Sequence, residues 1–224
     1  MLIQFKVANY RSIKGQVVLS MLASKEQEHD EHVIDAGNKG RYLKSSIIYG
    51  ANASGKSNLL LAFYFMVNYV LTSHEKQLNI PTGRIPFKFD SDTPEEPSVF
   101  EVVFIADQTK YVYGFSANDQ KIIDEYLYYY PNGRKAVVFE RSDTDSYRFT
   151  SDVELQESLK ERNTHNKLYL STAANWNYKK VLPVFDWFAS CRIPNAKLES
   201  AYGTNGADLR DDKYREKIAQ LLRG

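Results

Sequence analysis

The chain has 224 residues, and 29 Lys+Arg against 28 Asp+Glu leave a formal net charge of +1, so no single-sign field is available to hold a polyanion and a tail-type nucleic-acid binder is excluded. Hydrophobic residues at 43% and charged residues at 25% are ordinary globular values, which exclude a disordered, collagen-like or coiled-coil chain. The one cysteine, Cys191, cannot close an internal disulfide, and without a leader-like apolar segment at the amino terminus a reducing cytoplasm is the expected setting.

Along the chain, Leu2, Ile3, Phe5 and Val7, then Val17 to Leu19 around a polar Asn9-Tyr10-Arg11-Ser12, alternate as a hairpin of two strands. Ser24 to Arg41 is polar and aperiodic and reads as a loop or weakly ordered connector. Ser45 to Tyr49 predicts a short buried strand, broken by the turn Gly50 to Gly55. A buried helix follows from Lys56 to about Leu71. Its apolar stretch is interrupted by Asn68 and is shorter than the roughly 20 residues a membrane span needs, so no membrane association is expected. After a proline-marked passage, Val99–Ile105, Lys110–Ser116, Ile122–Tyr130, Ala136–Arg141 and Tyr147–Thr150 alternate between turn-rich separators and predict an antiparallel meander. From Asp152 the period lengthens, and Val153–Arg162, Tyr178–Ala189 and Asp211–Leu222 predict helices. The middle one presents Val181, Leu182, Val184, Phe185 and Phe188 to a core.

Residues Gly50-Ala51-Asn52-Ala53-Ser54-Gly55-Lys56-Ser57 match G-x-x-x-x-G-K-[ST] at every fixed position, between an apolar segment and a helix. Gly50 and Gly55 permit close backbone approach, so that successive amides can face phosphate oxygens. The helix starting near Lys56 aims its free N–H groups at the same anion. Lys56 brings a mobile charge to the β- and γ-phosphates, and the Ser57 hydroxyl suits Mg²⁺ coordination. ATP and Mg²⁺ are the expected cofactors.

Asn9-Tyr10-Arg11-Ser12 followed by Ile47 to Asn58 resembles the amino-terminal lobe of SMC-like ABC ATPases, a group that includes the overcoming-lysogenization-defect nucleases. The nearest resemblance is to AAA-family ATPases of prokaryotic phage-defence and abortive-infection operons, which continue with runs similar to Pro86-Phe87, Ser98 to Glu101, Tyr111 to Phe115, Glu125-Tyr126-Leu127, Leu168 to Ser171 and Trp187-Phe188. The resemblance implies an α/β P-loop NTPase fold of ABC type, with the nucleotide-binding lobe at 1–150 and a helical segment at 151–224 leading towards a carboxy-terminal lobe that the chain lacks. It also implies Asn52 beside the γ-phosphate, Asn58 at the end of the loop motif, and Arg11 and Ser12 near base and ribose. A homodimer or higher oligomer sandwiching ATP, and an effector nuclease, are the implied partners.

Such ATPases complete their site with a signature motif and an apolar strand ending in Asp-Glu, and neither stands out here. Ile122-Ile123-Asp124-Glu125 has the acidic pair but lies inside the alternating meander, whereas a catalytic pair should end a buried parallel strand. The expectation is therefore ATP binding, with hydrolysis in the complete protein or dimer. The alternative is a nucleotide-gated module that assembles with an effector nuclease and turns over little. A small-molecule kinase fits less well, because kinases follow the loop helix with parallel βα units. His29-Asp30-Glu31-His32 offers metal-binding side chains, but its polar surroundings favour a solvated loop. Lys179-Lys180 and Arg134-Lys135, the first near Trp176 and Tyr178, could touch nucleic acid, yet they are scattered and read as a solvated charged face.

Overall fold

Alternation in the first twenty residues produces β1 (Leu2–Ala8) and β2 (Val17–Ser20), paired antiparallel in the computed structural model, which describes residues 1–25, 29–52 and 54–193. β1 then adds to the meander, antiparallel to β5 (Ser98–Ala106). Beyond it come β6 (Thr109–Ala117), β7 (Ile122–Tyr130), β8 (Ala136–Ser142) and β9 (Ser146–Phe149). The result is a seven-stranded sheet of order β2-β1-β5-β6-β7-β8-β9, antiparallel throughout.

Period-two alternation selects one face for the core. Through the strand registers, Phe5, Val102, Tyr113, Leu127 and Phe139 form one continuous row across five strands, and all five side chains are buried. At about 1.5–3 kcal/mol for each large apolar side chain enclosed, this row is a principal source of stability. Tyr111 and Tyr113 point to the buried face, and Val112 between them is only half-buried.

Helix α1 (Lys56–Thr72) covers that face. Its run of helix-forming Leu, Ala and Met residues contains no glycine or proline. Phe63 meets Phe5 edge-on at 5.1 Å, and Phe65 and Tyr69 lie against Phe100 and Phe115 at 5.2 and 5.9 Å. The polar connector after β9 leads to α2 (Val153–Lys160), α3 (Tyr169–Asn175) and α4 (Leu182–Ser190). In α4, Trp187 stacks on Phe104 at 4.0 Å and Phe188 meets Tyr113 edge-on. Residues 1–190 form one compact unit and 191–224 a second; of the second only Cys191, Arg192 and Ile193 are described. Among the described residues no helix is long and apolar enough to cross a membrane.

Four readings of the sequence change. Ser45 to Tyr49 is not a strand: no ladder pairs it, and Ile47 and Tyr49 are 71% and 84% exposed. An apolar run signals burial only where a partner strand lies beside it. In the polar stretch Ser24 to Arg41 the described residues form more than a loop: two 3-10 turns, Asp30–His32 and Gly37–Lys39, and β3 (Val33–Asp35), which pairs with β4 (Arg41–Leu43) at the end of the stretch. The helix expected from Tyr178 starts at Leu182, after a turn in which the Val181 N–H donates to the Tyr178 carbonyl; α3 was not foreseen. The helix expected at Asp211–Leu222 lies outside the described residues.

Candidate nucleotide-binding site

The turn between β1 and β2 is set by Asn9 and Arg11, both with positive φ (51° and 52°). Asn9 is buried, and its side-chain amide donates to the carbonyls of Thr93 and Glu96 (2.6 and 2.8 Å) while its carbonyl oxygen accepts from the Phe87 N–H (2.9 Å). Arg84, buried as well, clamps the same loop by donating to the Glu96 and Pro94 carbonyls and pairing with Asp119. The proline-marked passage thus holds the hairpin turn in place from behind. Exchange of N–H and C=O between Tyr10 and Ile13, both at 2.8 Å, closes the turn.

That turn delivers Ser12 to the phosphate-type loop. The Asn58 amide donates to the Ser12 hydroxyl at 2.6 Å, across a sequence separation of 46. A Cβ on Gly55, which sits at φ 93°, would come within 3.1 Å of the same hydroxyl. A Cβ on Gly50 would meet the Ser54 hydroxyl at 2.8 Å, closer than atoms tolerate. Of the two, Gly55 is favoured by its left-handed backbone, while a side chain at Gly50 would have to turn the Ser54 hydroxyl aside. The Lys56 ammonium donates to the Gly50 and Ala51 carbonyls, each at 2.7 Å, which curls the loop around its own lysine. α1 starts directly after Gly55, so its first-turn N–H groups and positive dipole end face the space above the loop.

A cavity of about 450 Å³ opens there, lined on one side by Ser12 to Val17 of the hairpin and on the other by Ile48, Tyr49, Ser54, Gly55, Lys56 and Leu59. Its volume is that of a small-ligand pocket. Its lining combines the cationic Lys14 and Lys56 with the apolar Ile13, Val17, Ile48 and Leu59. Ser57 is exposed at the first turn of α1, as are Asn52 and Ser54 in the loop; Ala53 lies outside the described residues. Arg11 does not line the cavity: its N–H donates to the Ile85 carbonyl at 2.7 Å, and its guanidinium lies 5.8 Å from the Tyr10 ring centre.

Asp124 and Glu125 stand away from this cleft. Asp124 accepts from the Ser116 hydroxyl at 2.8 Å. Glu125 is completely buried and takes the Tyr113 hydroxyl (3.0 Å) and the N–H groups of Tyr169 and Leu170 (2.6 and 2.9 Å), with the Arg141 guanidinium 3.7 Å away. Burial pushes its carboxyl upward, and Arg141, the two N–H groups and the Tyr113 hydroxyl pull the other way. The chemistry of this group is that of an anchor at the start of α3. Of the basic pairs, Lys180 bonds Asp152 at 2.9 Å and Lys135 lies over the Tyr128 ring at 3.4 Å, while Tyr178 is buried.

Of the residues singled out in the sequence, the structure brings Ser12, Ser54, Gly55 and Lys56 together around the cavity, whereas Gly50, Ala51, Asn52, Ser57, Asn58 and Arg11 are not among its lining residues; the supporting turn was not singled out. Asn9 and Arg84 carry the geometry, and the positive-φ preference of asparagine in turns was the one available hint. Residues 45–220 match the protein family described as "AAA domain, putative AbiEii toxin, Type IV TA system". No curated protein sequence matches the chain.

Proposed function

The chain belongs to this AAA-domain family, a nucleotide-binding P-loop ATPase of α/β fold related to abortive-infection systems, and on that premise we propose that Mg-ATP occupies the cleft between the hairpin turn and the phosphate-type loop. The observation that carries this reading is the Asn58–Ser12 hydrogen bond, which places the hairpin wall and the loop on two sides of one cavity. Lys56 and the first-turn N–H groups of α1 would take the β- and γ-phosphates, Asn52 would stand beside the γ-phosphate, and Ser57 would hold Mg²⁺. Bound Mg²⁺ supplies charge neutralisation on the phosphate oxygens. Tyr49, Ile48, Val17 and Leu59 offer apolar surface for the base and sugar.

No carboxylate stands among the described residues that line the cavity, and on this reading the carboxylate that activates water for hydrolysis would come from another surface. We propose an ATP-sandwiched dimer of the SMC-like type, working in the prokaryotic cytoplasm in antiphage defence or DNA maintenance. The same lining supports a second reading, a nucleotide-gated module in which ATP binding alone governs assembly with an effector nuclease. Calorimetric titration with Mg-ATP tests the shared premise: no heat of binding would remove both readings. Steady-state turnover of the protein with its partners then separates them.

A further inference from the structure

The segment before the phosphate-type loop contains a second constellation, distant in purpose from the cleft. The Nδ1 of His29 lies 3.1 Å from Oε1 of Glu31, and the Nε2 of His32 lies 3.5 Å from the same oxygen. All three donor atoms fall within 4.8 Å of one another. Around a tetrahedral Zn²⁺ with bonds of about 2.0–2.2 Å, neighbouring donors stand about 3.3–3.6 Å apart. We infer that His29, Glu31 and His32 form a binding site for a borderline transition-metal dication of the Zn²⁺ type, separate from the nucleotide cleft.

The backbone, not the side chains, creates the arrangement. His29 adopts a left-handed conformation (φ 65°), and the 3-10 turn that follows is closed by the His32 N–H donating to the His29 carbonyl at 2.9 Å. Residue 30, between the ligands, is drawn away: Asp30 pairs with Arg41 on β4. The far end of the turn is held by the Lys44 N–H, which donates to the His32 carbonyl at 2.9 Å. The site therefore has a support in the β3–β4 hairpin that polar composition alone does not reveal.

Two imidazoles and one carboxylate suit Zn²⁺, Co²⁺ or Ni²⁺, whereas Mg²⁺ and Ca²⁺ favour oxygen donors. Ligation uses the unprotonated ring nitrogens, and any proton displaced passes to solvent. The three side chains are 77%, 61% and 59% exposed, which leaves the fourth coordination position open to water or to a donor from another molecule. None of them lines the nucleotide cavity.

The test is titration of the untagged full chain with Co²⁺, followed by its visible ligand-field absorption, and then displacement by Zn²⁺. One equivalent should bind with a tetrahedral-type spectrum. His29→Ala, His32→Ala and Glu31→Gln should each weaken binding at least about 100-fold, beyond what loss of an outer-sphere partner costs. His74→Ala and His165→Ala should bind as the parent does. His29, Glu31 and His32 are exposed, so their substitution should leave the fold intact, and circular dichroism verifies this for every variant. Absence of a Zn²⁺-displaceable Co²⁺ spectrum, or its persistence in both His29→Ala and His32→Ala, overturns the assignment.

Discussion

Glu125 and Arg141 stand opposite each other in the register of β7 and β8, on the inner face of the sheet, and both are buried. Arg141 also donates to the carbonyls of Thr144 and Lys167, and Glu125 takes two N–H groups from the first turn of α3. The pair therefore fastens the helical segment to the meander within the apolar core, beside the buried Tyr113, Phe139 and Tyr169.

Removing Glu125 leaves a buried guanidinium short of a counter-charge and two N–H groups short of an acceptor. Glu125→Ala should cost about 3–5 kcal/mol of stability, read as a fall in the urea midpoint with unchanged slope. Glu125→Gln should cost less, since one acceptor oxygen remains. Mg-ATP affinity of the folded variants should match the parent; a selective loss of nucleotide binding would contradict an anchoring role.

In the cleft, Lys56→Ala and Ser57→Ala should each weaken Mg-ATP binding by about 1.5–3 kcal/mol, the worth of a charge-assisted contact. Calorimetry reads this directly. Equal affinity in both variants would argue that nucleotide, if bound, lies elsewhere.

Turnover provides a third expectation. Among the described residues the cavity lining offers no carboxylate to activate an attacking water, and loss of a single preorganised group already costs a factor of about 10² to 10³. The 224-residue chain assayed without partners should release phosphate at background rate, with Lys56→Ala as the contamination control. Vigorous release that depends on Lys56 would place the whole catalytic site within these residues.

The meander was legible because Val99 to Thr150 alternates cleanly and its separators contain turn residues. The phosphate-type loop was legible because its residue types answer to a ligand's chemistry rather than to the fold. Helix α3 was hidden: Tyr169 to Ala174 are all buried, so no polar face exists to give a 3.6-residue contrast. β3 and β4, three residues each, are too short for alternation to register. Ser45 to Tyr49 misled for the opposite reason, its apolar residues standing exposed. The Ser12–Asn58 contact depends on how the hairpin docks against α1, which no local pattern encodes.

Gly114 offers a packing test on the other face of the sheet. Tyr126 lies across it, stacked on Tyr128 at 5.0 Å and donating to Glu101 at 2.6 Å. A Cβ at position 114 would come within 2.5 Å of the Tyr126 ring, so Gly114→Ala should cost about 1–3 kcal/mol through displacement of that ring. In a Tyr126→Ala background the penalty should disappear. A penalty that persisted would indicate a backbone rather than a side-chain clash.

Acid sensitivity follows from Asp90 and Asp152. Asp90 is held below the ordinary aspartate range chiefly by its hydrogen bond from Lys14, and Asp152 chiefly by those from Lys180 and Tyr178. A carboxyl lowered in the folded state contributes stability above its unfolded pKa and loses it as pH falls through the folded value. Urea midpoints should therefore decline between about pH 5 and about pH 2, and Asp152→Asn should flatten part of that decline. Because both groups are solvent-screened, high salt should flatten it further.

The two hydrogen bonds from Lys56 to the Gly50 and Ala51 carbonyls would make phosphate entry at the proposed site an exchange of partners rather than a simple docking. The ammonium gives up two neutral acceptors, and only an anion returns more than it surrenders. A nucleoside, however well its base fits against Tyr49, has nothing to offer in that trade. On the proposed binding mode the loop would select for phosphate before any base is recognised, with its own backbone as the competitor that sets the threshold.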